Sequence, residues 1–323
     1  MKQQGRSARY CRNVQRLFEN HVLPTLGNKR LTDLNRGDLT GLYRELAAVK
    51  SANGKGPEGT LTAMVNRVHL HVGALLSWAT REGRLPPGVA PVVPRPVAEE
   101  PGERALREET KVLLRPQHLA QLWRAAEEEQ PHLRFLVRLL CLLPMRREEI
   151  TGLSWSEIQG ETEASTVETQ DGGQFRGARL EIPAGRMKGR RPHVMPLPPR
   201  SVQLLRDLHG VRGIGEFVFS VTAGRTPFAG WGTLAARLRK RCPDLPKGWV
   251  VHDIRGGIAT AMGEAGEDEA VITRLLHHAP TARIGITAVY DRSRRLQQMS
   301  DVLENWEMRL LKEVERQVGA VKS

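Results

Sequence analysis

The sequence predicts a mainly α-helical protein with a small antiparallel β-sheet in its C-terminal domain, an α+β unit preceded by an all-helical one. Three observations carry that expectation. Apolar residues recur at helical spacing along most of the 323 residues. Short β-prone pieces separated by turn residues are confined to one stretch, from Gly160 to Pro198. A proline-rich segment without sustained period separates residues 1–90 from 109–323, leaving 91–108 as a semi-rigid linker.

In order along the chain, "RSARYCRNVQRLFENHVLPTLG" reads as a helix that stops at Pro24 and Gly27. "LTDLNRGDLTGLYRELAAVK" offers Asp38 as an N-cap, then Leu39, Leu42, Tyr43 and Leu46 at the i, i+3, i+4, i+7 spacing of a buried stripe. The breaker "SANGKGPEG" precedes a long helix in which Val65, Val68, Val72 and Leu76 share a face. His69 and His71 are two apart, which puts them on different faces and rejects a metal pair. In the second domain, "RPQHLAQLWRAAEEE" and "PHLRFLVRLLCLLPMRREEITGLSWSEI" are helical, with a local break at Pro144. Strands follow, with "AGRMKGRR" as a hairpin tip between them. Helical patterns resume at "PRSVQLLRDLHG", "WGTLAARLRKRC", "IRGGIATAMGEAG", "EAVITRLLHH" and "SDVLENWEMRLLKEVERQV". The last carries Leu303, Trp306, Leu310 and Val314 in a stripe able to dock on a neighbouring molecule or on its own domain.

Charge is the unusual feature of the composition. Lys and Arg number 49 against 36 Asp and Glu, a net +13, while 40% hydrophobic and 26% charged residues are ordinary for a globular chain. Such an excess favours a polyanionic partner, most simply nucleic acid, with a solvated basic surface as the alternative. Cys11, Cys141 and Cys242 are odd in number, far apart and in no metal spacing, so reduced thiols are expected. No apolar run approaches the ~18 residues of a membrane span, and no signal-peptide core follows the basic N-terminus. A cytoplasmic protein without a membrane partner is therefore expected.

Several basic or titratable residues sit where chemistry is possible. Arg146 and Arg147 follow the apolar "FLVRLLCLLPM"; read alone they are a solvated helix start with Glu148 and Glu149 as ion-pair partners. "VVHDIRGG" places His252 and Arg255 three apart near a helix start, with Asp253 available as N-cap, and suits either a phosphate or an ordinary surface pair. His277 and His278 end an apolar helix, and Lys188 tops the hairpin. Tyr290, one of 3 tyrosines, follows "IGITAV" and runs into Asp291 and Arg292.

In that order these residues resemble the signature of the tyrosine recombinases, specifically the phage and genomic-island integrase branch. "LLPMRREEITGLSWSEI" is similar to the family's first arginine box, and "GRMKGRRPHVMPLP" to its lysine hairpin. "HDIRGGIAT" resembles the second arginine box, and "LLHHAPTARIGITAVYDRS" the final His-to-Tyr stretch. Pro144 stands where the first box usually has glycine, Gly256 and Gly257 replace an Arg and a Thr or Ser, and His277 replaces a small or polar residue. Residues 1–90 resemble the branch's helical core-binding domain in pattern. Met1 stands almost directly before those helices, so the further N-terminal arm-binding domain of many integrases is expected to be absent or removed.

The resemblance implies a core-binding domain over 1–90 and a tyrosine-recombinase catalytic domain with a C-terminal helix over 109–323. It implies a site-specific recombinase that cleaves and rejoins double-stranded DNA, acting as a tetramer on specific sites with possible accessory bending or directionality factors, in a prokaryotic or phage-encoded, nucleoid-associated setting. The implied catalytic set is Arg146, Lys188, His252, Arg255, His278 and Tyr290. In this reading Tyr290 is the nucleophile, the arginines bind the phosphate, His252 accepts the phenolic proton, Lys188 protonates the leaving oxygen and His278 donates to a phosphoryl oxygen. No cofactor or metal is expected. The alternatives are a type IB topoisomerase-like enzyme and a catalytically silent DNA-binding protein of the same fold.

Overall fold

A computed structural model of the chain describes residues 8–48, 62–93, 112–160, 166–168, 174–187, 190–212, 215–278 and 295–322. The chain divides into two compact units, Met1–Thr110 and Lys111–Ser323.

The described part of the first unit is helical: α1 (Ala8–His21), α2 (Leu23–Leu26), α3 (Arg36–Ala48) and α4 (Thr62–Arg81). The expected stripes meet in its core, where Leu39, Leu42 and Tyr43 of α3 are buried with Val65, Val68, Val72 and Leu76 of α4. Asn35, rather than Asp38, caps α3. The Asn35 side chain accepts the Asp38 N–H and the Asp38 carboxylate accepts the Asn35 N–H, each at 3.0 Å. This reciprocal box satisfies two free donors at once, which a lone cap at Asp38 would not. At the far end of α4, Gly83 takes a φ of 67°. The left-handed turn lets Arg84 N–H reach the Ala79 carbonyl at 2.9 Å and closes the helix. Leu85, beyond the end of α4, is fully buried in this core. His69 and His71 face different rings, Tyr43 and Tyr10 respectively.

The second unit begins with α5 (Pro116–Ala125) and α6 (Pro131–Leu142), each with proline in its first turn, where the missing N–H costs no bond. A break at Pro144 precedes the short α7 (Arg147–Thr151). Strands β1 (Ile158–Gln159), β4 (Arg179–Ile182) and β5 (His193–Pro196) form the expected antiparallel sheet, in the order β1-β4-β5. Leu180 faces both Ile158 and Met195, and Ile182 faces His193. The intervening strands β2 (Thr166–Glu168) and β3 (Gln174–Arg176) pair only with each other among the described residues, as a separate hairpin. Helices α8 (Pro199–Arg212), α9 (Trp231–Arg241), α10 (Val251–Glu264), α11 (Glu269–Leu275) and α12 (Leu296–Lys322) complete the unit. No helix among the described residues is long and apolar enough to cross a membrane.

The long α12 packs within its own unit. Leu303, Trp306 and Leu310 are buried, and Val314 rests against the same core. Trp306 Nε1 donates to the Cys141 carbonyl at the end of α6 (2.9 Å). Both Glu307 carboxylate oxygens accept the Arg200 N–H at the start of α8 (3.0 Å each). The stripe that could have served a neighbouring molecule is thus occupied in cis.

α10 starts at Val251, three residues earlier than an Asp253 cap requires. Asp253 lies in the first turn and accepts the Val250 N–H at 2.7 Å, where a carboxylate also favours the helix dipole. The pair Gly256–Gly257 divides sharply. A Cβ at Gly257 would overlap the Leu114 carbonyl oxygen, whereas at Gly256 it would meet nothing within 4 Å. Gly257→Ala should therefore lower stability by about 2 kcal/mol through overpacking. Gly256→Ala should raise it by about 1 kcal/mol through helix propensity, with thermal melting of each variant as the measurement.

Candidate active site

Three separated segments converge in the second unit: the α6–α7 break, the first turns of α10 and the chain leaving α11. Arg255, on α10, is buried at 5% exposure. A guanidinium so placed must spend its donors. Nη1 donates to the Pro144 carbonyl at 2.9 Å, and Nη2 to the Leu276 carbonyl at 2.5 Å. Nη2 also lies 3.2 Å from His278 Nε2. Since a guanidinium only donates, His278 Nε2 is the acceptor and its proton sits on Nδ1.

Arg146 occupies the N-cap of α7, half-exposed beside this cluster. Its own N–H donates to Glu149 Oε2 at 2.8 Å, and Nη1 to Glu149 Oε1 at 2.5 Å. Nη2 reaches the His277 carbonyl at 3.4 Å. The second Glu149 oxygen stands 3.9 Å from Arg255 Nη1, so one buried carboxylate lies between both arginines. Burial alone would raise the Glu149 pKa. The Arg146 N–H and guanidinium, together with the charges of Arg146 and Arg255, outweigh it and hold the carboxyl below its usual range. Burial and the like charge of Arg146 bring Arg255 down to about 10 against the opposing Glu149 charge, leaving it cationic at neutral pH.

The structure thus brings Arg146, Arg255 and His278 together. His252 lies one helical turn before Arg255, exposed, and its charge is felt at His278. Burial, then Arg255, Arg146 and His252, lower the His278 pKa. Lys188 and Tyr290 lie outside the described residues.

Two further histidines join the cluster: His277, beside the expected His278, and His193, which no motif marks. His277 turns the chain after α11 with a φ of 45°, a conformation His adopts more readily than most residues. Its ring stacks on His193 of β5, centroids 4.6 Å apart and planes 23° from parallel. His193 is buried at 4% exposure, with no hydrogen-bond partner on either ring nitrogen among the described residues. Burial chiefly, then the His277, Arg255 and Arg146 charges against that of Glu149, lowers its pKa to about 3. The adjacent pair "HH" and the proline-flanked "RRPHV" were the available signals, but nothing in one dimension pairs them. Glu149 was legible as an ion-pair partner of Arg146, and its reach to Arg255 was not.

Residues 113–295 match the phage integrase family. The prophage integrases IntZ and IntA of Escherichia coli (strain K12) are 24% and 23% identical over 94% and 92% of this chain. The chain spans 66% and 64% of the lengths of these relatives. Its fold resembles that of a lambda integrase (75-356) dimer bound to a COC′ core site, at a TM-score of 0.58 and 16% identity, covering 88% of this chain and 94% of that one. It also resembles the Tn1549 transposon integrase (aa 82-397) in complex with circular intermediate DNA, at 0.55 and 14%, covering 89% and 90%.

The neutral His193 makes a prediction about pH. Its folded value of about 3 lies below the ordinary 6.5, so protons bind the unfolded chain first. Its contribution is complete above pH 6.5 and is lost as pH falls toward 3, with a slope of up to about 1.4 kcal/mol per pH unit. His193→Phe, which keeps a ring against His277, should flatten the fall of melting temperature between pH 6.5 and 4.

Proposed function

The chain belongs to the phage integrase family of tyrosine recombinases, and we propose that it cuts and rejoins double-stranded DNA at specific sites through a covalent 3′-phosphotyrosine on Tyr290. The observation that carries this reading is the convergence of Arg146, Arg255 and His278 from three distant segments onto one spot. A phosphodiester resists attack because it is anionic, so catalysis there is mostly charge neutralisation and positioning. Two planar donor forks suit the non-bridging oxygens and the charge that develops on them. They supply positive charge that divalent ions supply in other phosphoryl-transfer sites, and the scheme uses no metal.

In this scheme the Tyr290 oxygen attacks phosphorus while the bond to the 5′ oxygen breaks. His252 takes the phenolic proton, and Lys188 gives one to the departing 5′ oxygen. His278 adds a hydrogen bond to a phosphoryl oxygen, its Nδ1–H already assigned by the Arg255 contact. For Arg255 to engage phosphate, its present backbone acceptors share or yield its donors. Religation is the reverse, with a 5′ hydroxyl of the same or another duplex as nucleophile. A tetramer on two DNA sites, with accessory factors where bending or direction demands them, completes the reading for a cytoplasmic, nucleoid-associated enzyme. The first unit serves as the core-binding domain, its cleft between α1 and α4 lined by Arg16, His21, Arg67 and His71.

Mapping the DNA junctions to which the protein becomes covalently joined tests the proposal directly. Tyr290→Phe should abolish that attachment and leave duplex binding largely intact; attachment persisting in this variant removes the assignment. Arg146→Lys should cleave on the order of 100-fold more slowly, because an ammonium lacks the fork. A chelator should leave the wild-type rate unchanged.

A further inference from the structure

Arg186 takes no part in the scheme above, yet it holds two of its parts together. It ends the 3₁₀ turn (Ala184–Arg186) that opens the β4–β5 loop, two residues before Lys188. All three of its nitrogens are engaged. Nη1 donates to the Gly152 carbonyl, Nη2 to the Glu149 carbonyl at 3.0 Å, and Nε meets Glu157 Oε1 at 2.8 Å. The first two acceptors belong to the C-terminal end of α7, where carbonyls lack helical partners and the dipole favours a cation. Glu157 is buried, and its other oxygen accepts the Ser154 N–H at 3.1 Å, so the carboxylate is itself fixed.

Gly152 bears on the same contact. Its φ of −86° suits any residue, so backbone freedom does not call for glycine there. A Cβ would instead overlap Arg186 Nη1. The chain leaves that space to the guanidinium.

α7 is only five residues long, with Arg146 at its N-cap and the Arg186 contacts at its other end. Lys188 follows Arg186 by two residues in sequence, so the loop that carries it leaves directly from this turn. Beyond it, Arg190 N–H donates back to the Met187 carbonyl at 3.0 Å, and the Met187 side chain is buried. Fixing Arg186 therefore fixes the stem of the lysine loop against the helix that presents Arg146.

We propose that Arg186 is a positioning residue that locks the Lys188 loop to the Arg146 helix and so sets the acid on the leaving 5′ oxygen. The inference rests on the assignment of Lys188 as that acid. A lysine cannot replace Arg186, because one ammonium does not span two carbonyls and a carboxylate in a plane.

The test uses the full chain and a duplex oligonucleotide spanning the junction to which the wild-type protein becomes joined. One version carries the ordinary 5′ bridging oxygen at the scissile phosphate and the other a bridging sulfur, which leaves as a thiolate without needing a proton. Single-turnover cleavage by Arg186→Ala and Arg186→Lys should fall about 10- to 100-fold on oxygen, the scale of a misplaced acid, and stay within about threefold of wild type on sulfur. Gly152→Ala, which pushes the guanidinium aside, should show the same split and is read in place of Arg186→Ala should that variant not fold. Lys188→Ala is the control and should be rescued by sulfur. Equal losses on both substrates in the Arg186 variants, with Lys188→Ala rescued, overturn the positioning role and leave the acid assignment standing. No loss on oxygen overturns it as well. A Lys188→Ala variant that sulfur does not rescue removes the acid assignment, and the proposal with it.

Discussion

A charge taken out of water must be answered from within the fold, and the site is organised around one such charge. Arg255 is buried on α10, so its donors had to find acceptors, and it found them on two other segments, Pro144 and Leu276. These carbonyls precede Arg146 and His278 by two residues each. Satisfying one guanidinium therefore sets where the other site residues emerge. Glu149 makes this tolerable: two cations this close repel, and the carboxylate between them offsets that repulsion while bonding Arg146 from both backbone and side chain. Breaking such a buried set by removing one member costs far more than an exposed ion pair does, because the others are left unanswered.

The same logic extends outward in a chain of contacts. Glu149 uses its carboxylate on the arginines and its carbonyl on Arg186. Arg186 passes the constraint to Glu157 and the β-hairpin. On the other side of that hairpin, His193 stacks on His277, so the strand following the lysine loop also touches the turn that carries His278. The loop is thereby held at both of its stems by two different kinds of contact, one ionic and one aromatic.

Much of this was legible in the sequence because its signals are local. The stripes of α3 and α4 and the buried face of α12 follow from spacing alone, and each is buried as the period requires. The strands around "AGRMKGRR" were also readable, although β2 and β3 form a separate hairpin, since strand partners are set by contacts distant in sequence. The helices begin three residues earlier than caps at Asp38 and Asp253 require, because an acid in the first turn resembles a cap in the sequence. The boxes around Arg146 and Arg255 were recognisable as motifs. What no motif could give was the answering shell: Glu149 between two arginines, Arg186 over Gly152, His193 under His277. Those pairings span up to 106 residues, from Glu149 to Arg255, and a linear pattern carries no distance information across such gaps.

The docking of α12 bears on when in its life the protein acquires a site at all. Trp306 closes over the end of α6, a hydrogen bond between residues 165 apart, and Glu307 ties down the start of α8 across 107. A core that needs α12 cannot condense fully before α12 has been made, since the contacts that reward closure do not yet exist. The arginine box is translated about half-way through the 323 residues, but it waits for α12 before its surroundings become solid. A chain extending only as far as α11 thus carries both arginine boxes without the helix that closes their core.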